Sequence, residues 1–277
     1  MRSRALVGLV LTVVLSGCPK KKDDGESLTL AEAQQAVEES TLSSQAESLQ
    51  AASVEITTSF TIGQAVQSAA QEIRDFVASQ LPCAEITLAD ATLTVSYGAK
   101  AGSCTYKGHT FSGSHSIRVD KNEQAQVLVH HEWTDLSNGR VKLNGTADVT
   151  WDFQAKSRQV VHSVQWTRVL DGFTVTGEGD RTQTPLAGGV LEGIQVDGTR
   201  SWTSPRGAWD LTIDGVQMRW IDPVPQAGSY TLLTPKNKQL KLSFQRVDED
   251  TIKVIVENGK RAFAFDVSKI GSVQPES

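Results

Sequence analysis

Two stretches, QVLVHHEWTDLSNGRVKLNGTADV (126–149) and QVVHSVQWTRVLDGFTVTGEGDR (159–181), repeat one pattern at an offset of 33 residues and align Trp133 with Trp166. Apolar and polar residues alternate within each unit, a pattern that predicts β-strands. Each unit is long enough for two strands of about ten residues with their turns. The repeat therefore predicts an antiparallel meander, in which each unit adds one hairpin to a growing sheet.

The same alternation, typical of β-strands, extends over residues 84–270, which contain all six tryptophans of the chain. Residues 86–88 and 93–97 alternate around a short polar turn and predict a hairpin. Asn258-Gly259 is the strongest hairpin signal, since both residues tolerate a positive φ. Residues 271–277 are predicted to be a frayed tail.

Residues 28–81 form a predicted helical segment ahead of the strands. Residues 28–53 are rich in Ala, Gln and Glu but sparse in apolar positions. That composition leaves open a loosely docked helix, a stalk or a partly disordered stretch. Residues 61–81 are clearly amphipathic and begin with a capping box of Thr61 and Gln64, so we expect this helix to pack against the sheet.

The resulting fold class is mainly β with N-terminal helices. A long antiparallel meander has exposed edges unless it closes, curls or is covered. We therefore predict a curled sheet or half-barrel packed by one amphipathic helix, in preference to a closed barrel.

The N-terminus carries an export signal. Two arginines precede an apolar run of eleven residues, Ala5 to Leu15, which is shorter than the roughly 20 residues of a spanning helix. The sequence Leu15-Ser16-Gly17-Cys18 resembles the bacterial lipobox. That resemblance implies removal of residues 1–17 and acylation of Cys18, with residues 18–27 as a lipidated tether.

The predicted partner is therefore the lipid bilayer, reached through acylated Cys18. Pro19 stands where an Asp would favour the inner membrane, so the resemblance implies a cell-envelope location, at the outer membrane facing the periplasm or the cell surface. Removal of the signal leaves a formal charge of −7, and the single basic run, 20–22, is followed by acids. Nucleic acid is excluded as a partner, because phosphate contacts need clustered Lys and Arg.

Cys83 and Cys104 are the two cysteines left after lipidation. The predicted hairpin between them returns the chain beside its own start and brings them near each other. The pair lacks the CxxC spacing of redox and metal sites. We predict a structural disulfide, as is usual in an oxidising compartment.

The histidines do not predict a metal site. His130 and His131 point to opposite faces of a strand. The repeat places His131 and His162 on the same face of the sheet with one strand between them. Twice the spacing of adjacent strands puts them about 9–10 Å from each other. No metal is expected.

Other short motifs also fail to predict chemistry. Residues 112–115 place Ser beside His, but the GxSxG pattern of a nucleophile elbow is absent. Residues 177–179 and 188–189 are rich in Gly, but no Lys or helix follows them, so they are interpreted as turns. We expect no catalytic residues, no cofactor and no enzymatic activity.

The aromatic residues support one sharper hypothesis. Trp133 and Trp166 share a face of the predicted sheet and form a candidate aromatic ligand face. The alternative is that a large sheet poor in Phe and Tyr fills its core with Trp.

Residues 82–98, followed by Cys104, Gly113 and the Gly-punctuated strand 193–200, resemble a group of uncharacterised bacterial envelope lipoproteins. The likeness spans roughly residues 82–203. It implies the same architecture and brings no activity with it.

Two functions follow as hypotheses. The first is a non-enzymatic envelope module with a structural or binding role, whose partner is an envelope protein or an apolar ligand. The alternative is a periplasmic carrier of a lipid or other apolar ligand in the half-barrel. An unfilled apolar concave face would favour the carrier, and a filled one the module. An enzyme is third, since it would need groups brought together from distant strands.

Overall fold

A computed structural model gives the fold. The ranges that it describes are 27–57, 66–121, 127–152, 154–259 and 261–276. The predicted export signal, Cys18, most of the predicted tether and the predicted Thr61–Gln64 capping box lie outside these residues.

Two helices precede the strands: α1, Leu30–Thr57, and α2, Val66–Gln80. The strands are β1 Glu85–Ala89, β2 Thr92–Tyr97, β3 Thr105–Tyr106, β4 His109–Thr110, β5 Ser112–Lys121, β6 Val127–Ser137, β7 Val141–Asp152, β8 Ser157–Arg168, β9 Thr174–Leu186, β10 Gly189–Ser204, β11 Gly207–Met218, β12 Ala227–Leu233, β13 Gln239–Arg246, β14 Thr251–Asn258, β15 Arg261–Ser268 and β16 Val273–Pro275. No helix in the described ranges is both long and apolar enough to cross a membrane.

Fourteen of the described strands form one antiparallel sheet in sequence order, and only the small β3–β4 hairpin stands apart. The sheet begins at β1 and ends at β16, so these two strands are its open edges. Both edge strands are short, and β16 carries Pro275, which limits pairing with another chain. The predicted fold class is confirmed.

The repeat units correspond to the hairpins β6–β7 and β8–β9, as predicted. His131 is paired with Ala147 and Ala147 with His162, so one strand separates the two histidines. The later hairpin β10–β11 continues the series and pairs Trp202 with Trp209.

The sheet curls because its long strands are irregular. Register shifts interrupt the ladders of β5 with β6, β6 with β7, β9 with β10, β10 with β11 and β11 with β12. Such bulges bend a strand and increase its twist. The concave side that results is occupied along its length by α1.

The two helices take different positions. The prediction that the second helix packs on the sheet is confirmed, since Ile73 and Val77 of α2 are buried and α2 lies against β1, β2 and β5. The first helix, whose state the composition left open, is continuous and buried inside the curl. Its sparse apolar residues gave no sign of this, because about half of its buried residues are polar or charged.

The C-terminal strands agree with the sequence. Asn258 is paired with Arg261, so the predicted hairpin is present and its turn includes Gly259, with a φ of 60°. The tail prediction was wrong for Val273–Pro275, which pairs with β15 as β16. Backbone pairing at an edge requires no apolar pattern, so the sequence carried no signal for it.

Cys83 and Cys104 lie at disulfide distance, with their Cα atoms 5.3 Å apart. Both are buried at the start of the sheet, on either side of the β1–β2 hairpin. The two cysteines are 21 residues apart in sequence. A cross-link over this length lowers the conformational entropy of the unfolded chain, so its removal stabilises the unfolded state.

The double variant Cys83→Ala/Cys104→Ala is therefore expected to lose about 3 kcal/mol of unfolding free energy, measured by urea denaturation. Dithiothreitol should lower the midpoint of the parent protein but leave that of the double variant unchanged. A parent protein insensitive to the reductant would show that the pair is not bonded.

Candidate functional site

Helix α1 is the organising element of the interior. It starts with a capping box, in which the Thr29 amide donates to Glu32 (3.1 Å) and the Glu32 amide donates to the Thr29 hydroxyl (3.2 Å). Of its 28 residues 21 are buried, on all sides of the helix. Eleven of these are polar or charged, an unusual composition for a core helix.

Three arginines on consecutive strands face this helix. Arg158 on β8, Arg181 on β9 and Arg200 on β10 are all buried. Glu47 pairs with both Arg181 and Arg200, the latter at 3.2 Å from Nη1 to Oε2. Glu55 accepts a hydrogen bond from Arg158 Nη1 at 3.1 Å.

A third carboxylate continues this ladder. Glu39 accepts hydrogen bonds from Trp202 Nε1 and Ser204 Oγ, both at 3.1 Å. Glu39, Glu47 and Glu55 are spaced by eight residues, so each step turns about 80° around the helix. The three carboxylates therefore project in different directions around the helix, and they contact partners on β8, β9 and β10.

Burial controls the ionisation of these groups. It raises the pKa of Glu55 to about 7, although Arg158 opposes the shift. Burial likewise raises the pKa of Glu39 and lowers the pKa of each of the three arginines. The interior is thus an acid–base ladder whose charges depend on mutual pairing.

A chain of imidazoles lies beside the ladder. The Tyr97 hydroxyl and His115 Nδ1 are 3.3 Å apart, and His115 Nε2 and His131 Nδ1 are 2.9 Å apart. Burial lowers the pKa of His115 to about 3 and that of His131 well below its usual range. Within the described residues, no three His, Cys, Asp or Glu side chains are grouped as metal ligands.

The interior contains more polar groups than it pairs. On the sheet, four aromatic ring nitrogens and one guanidinium nitrogen are buried without a hydrogen-bond partner among the described residues. They are His131 Nε2, Trp133 Nε1, Trp166 Nε1, Trp209 Nε1 and Arg181 Nε.

The outer face of the sheet carries a long groove. Two adjoining cavities of about 850 Å³ and about 680 Å³ share Ser163, Glu178, Ser201 and Asp210. They extend over β7 to β13, which at about 4.8 Å per strand is about 29 Å across. The side chains that face the groove are mostly Ser, Thr, Asp and Glu.

No protein-family model, curated protein or solved structure matches this chain. A function must therefore be argued from the contacts described above. The resemblance of residues 82–203 to envelope lipoproteins remains an expectation.

Trp133 and Trp166, the candidate aromatic ligand face, lie on the concave side. Each is only 2 % exposed, so neither presents an open surface in this structure. Trp133 stacks on His131, with ring centroids 5.8 Å apart, and Trp166 lies against Gly177. The sequence identified the two tryptophans but missed the arginines, although Arg158 lies at the same strand parity as His162 and Trp166.

Gly177 and Gly179 are not in a turn, as the sequence suggested, but in the middle of β9. An added Cβ at Gly177 would lie 2.7 Å from Trp166 Cη2 and 2.6 Å from the Ser201 carbonyl oxygen. Glycine is thus required because the neighbouring indole occupies the space of a side chain. Gly188 does lie in a turn, between β9 and β10, and Gly189 is the first residue of β10.

Gly177→Ala is expected to destabilise the fold by about 1–3 kcal/mol, because the indole and the strand must shift. Urea denaturation measures the change. Gly188→Ala is the matched control, since its Cβ would meet only the flexible carboxylate of Glu192. Equal stabilities of the two variants would contradict this account.

Proposed function

We propose that the protein is a lipid-anchored, non-enzymatic binding module of the bacterial cell envelope. The lipobox-like sequence ending at Cys18 supports the anchor. The outer groove, with a volume of about 850 Å³ in its larger part, carries the binding role. It is an open groove on a single continuous sheet, and its Ser, Thr, Asp and Glu side chains offer hydrogen-bonding groups to a polar partner.

The alternative, a carrier of a lipid or other apolar ligand in the half-barrel, requires an open apolar cup. In this structure α1 fills the concave side of the sheet, and its polar residues face the arginines. The filled interior therefore favours the binding module over the carrier.

Native mass spectrometry of the mature protein, extracted gently from membranes, tests this choice. We expect the mass of the acylated chain with no additional lipid. A stoichiometric co-purifying lipid would favour the carrier instead.

The anchor has its own test. Cys18→Ser is expected to move the protein out of the membrane fraction, because the acylated cysteine is its proposed attachment. Retention of the variant in that fraction, with the same cleavage site, would overturn the anchor.

The groove can be tested by site-specific photo-cross-linking in cells. A cross-linking residue at Thr199, within the groove, is expected to give a discrete adduct that is lost when Glu178→Lys is added. The control position is Val247, which is 54 % exposed and does not line the groove. An identical adduct at both positions, or one insensitive to Glu178→Lys, would contradict a groove-specific partner.

A further inference from the structure

Alternate turns of an antiparallel meander lie at the same end of its sheet. One end therefore collects the turns that follow β6, β8, β10, β12 and β14, and the start of α1 lies there too. Arg261 Nη1 donates to the Leu28 carbonyl oxygen at 3.2 Å, and Lys238 Nζ donates to Glu32 at 2.8 Å. We call this the proximal end, because the chain enters the described residues there at Ser27. The opposite end is the distal end.

The β8–β9 turn presents an apolar tip at the proximal end. Leu170 is 91 % exposed, the highest value for a large apolar side chain in the described ranges, and Val169 is 52 % exposed. The turn is held by backbone hydrogen bonds, from the Val169 amide to the Arg140 carbonyl at 2.8 Å and from the Gly172 amide to the Arg168 carbonyl at 2.9 Å. A leucine kept in water in this way gains free energy when it enters an apolar phase.

Basic side chains surround the tip. The guanidinium groups of Arg168 and Arg206 lie over the Phe173 ring, at 5.2 Å and 5.6 Å from its centroid. Arg206 in turn lines a small cavity together with Lys236 and Lys238. The apolar tip and the cations therefore form one continuous surface.

The turns at the two ends differ in charge. Between β6 and β15 the proximal turns contain five basic residues and one acid, whereas the distal turns contain two basic residues and four acids. The proximal acid, Asp171, is paired with Arg168 at 2.6 Å. Exposed apolar side chains occur at the distal end too, but Leu191, 82 % exposed, is followed there by the exposed acid Glu192. Charge therefore makes the proximal end the better match for an anionic surface.

We propose that the proximal end is a docking surface for the anionic phospholipid bilayer that holds the chain, a role that rests on the proposed lipid anchor and not on the outer groove. Leu170 enters the interface, and the surrounding cations contact phosphate groups. Ser27 lies nine residues after Cys18, a distance of about 30 Å in a fully extended chain. An acylated Cys18 therefore keeps the proximal end close to the bilayer.

The docking orients the molecule. With the proximal turns on the bilayer the strands run away from it, so the outer groove faces sideways. Each cation near an anionic membrane strengthens binding about fivefold. One leucine and a few cations thus give a weak and reversible contact without acyl chains, and unacylated protein is still released when membranes are washed.

The test uses residues 18–277 with Cys18→Ser, expressed without the signal, and vesicles of equal parts phosphatidylcholine and phosphatidylglycerol. Co-sedimentation should detect binding that is at least about tenfold weaker on pure phosphatidylcholine. Leu170→Ser and Lys236→Glu should each weaken binding about tenfold. Leu191→Ser and Lys156→Glu make the same changes at the distal end and should bind as the parent does.

A fluorescent label reports the contact directly. In the Cys18→Ser background, Leu170→Cys provides the free thiol, because Cys83 and Cys104 lie at disulfide distance from each other. A nitrobenzoxadiazole group at position 170 should brighten several-fold on anionic vesicles. The same label at Leu191→Cys should not respond.

Equal weakening by the proximal and distal substitutions, or equal brightening at positions 170 and 191, would overturn the docking surface. Absence of binding to anionic vesicles would overturn it too. Fractionation of Cys18→Ser in cells tests the anchor separately. A variant that leaves the membrane fraction but does not bind vesicles refutes the docking surface and keeps the anchor, whereas one that stays in that fraction and binds vesicles through Leu170 refutes the anchor alone.

Discussion

Glu47→Ala is expected to lower the free energy of unfolding by about 3–5 kcal/mol, the largest effect of a single substitution in this protein. Glu47 is the carboxylate that pairs with both Arg181 and Arg200, and all three side chains are buried. Its removal leaves two guanidinium groups in the interior without their counter-charge. Urea denaturation of the folded chain measures the loss.

Glu38→Ala is the matched control. Glu38 lies on the same helix and pairs with Arg206 at 3.0 Å, but both side chains are about one-third exposed. Surface pairs of this kind contribute about 1 kcal/mol or less. If the two variants were equally stable, the buried ladder would not be holding α1 in the sheet.

Acidification is expected to destabilise the protein strongly through its buried histidines. Burial lowers the pKa of both His115 and His162 to about 3. The unfolded chain binds a proton on each imidazole near pH 6.5, whereas the folded chain does not until about pH 3. Stability is therefore lost as the pH falls through this window, by about 3 kcal/mol per histidine between pH 6.5 and 4.

The ionisation of Glu55 changes the pH dependence of stability in the opposite direction. Its folded pKa, about 7, lies above its ordinary value of 4.5. Its contribution to stability is thus fully present below pH 4.5 and lost as the pH rises through 7. Two histidines outweigh one carboxyl, so the net result for the parent protein is a loss on acidification.

Urea denaturation at a series of pH values separates the groups. His162→Gln should flatten the loss, and its amide oxygen can still accept the hydrogen bond that Arg181 Nη2 donates to His162 Nδ1 at 3.0 Å. Glu55→Gln should steepen the loss. A parent protein equally stable at pH 4 and 7, or two variants with the same slope, would contradict these assignments.

The sheet could be predicted from the sequence because the alternation of apolar and polar residues in a strand is visible within a few consecutive positions. Alternation around Trp133 and Trp166, the repeat and the Asn258-Gly259 turn are each contained in a few neighbouring residues. A meander in sequence order then follows, since every strand pairs with the next one along the chain. The short strand β16 was missed because its three residues show no apolar alternation, although it pairs with β15 and Val273 packs against the core.

The interior could not be predicted in the same way. An amphipathic pattern identifies a helix with one solvent-exposed face, and α1 has no such face over residues 46–57, where Glu47 and Glu55 are buried as ion pairs. The pairing of these residues with Arg181 and Arg158 joins positions more than one hundred residues apart. One local signal was overlooked, the Thr29–Glu32 capping box that marks the start of α1.

The polar composition of α1 has a consequence for biosynthesis. This helix emerges from the ribosome about 200 residues before β15, which at ordinary rates of translation is roughly 10–40 seconds. An apolar central helix would need chaperones or would self-associate during that interval. A segment dominated by Ala, Ser, Gln and Glu stays soluble while it is exposed to water. It is buried only when the last hairpins have formed and packed around it.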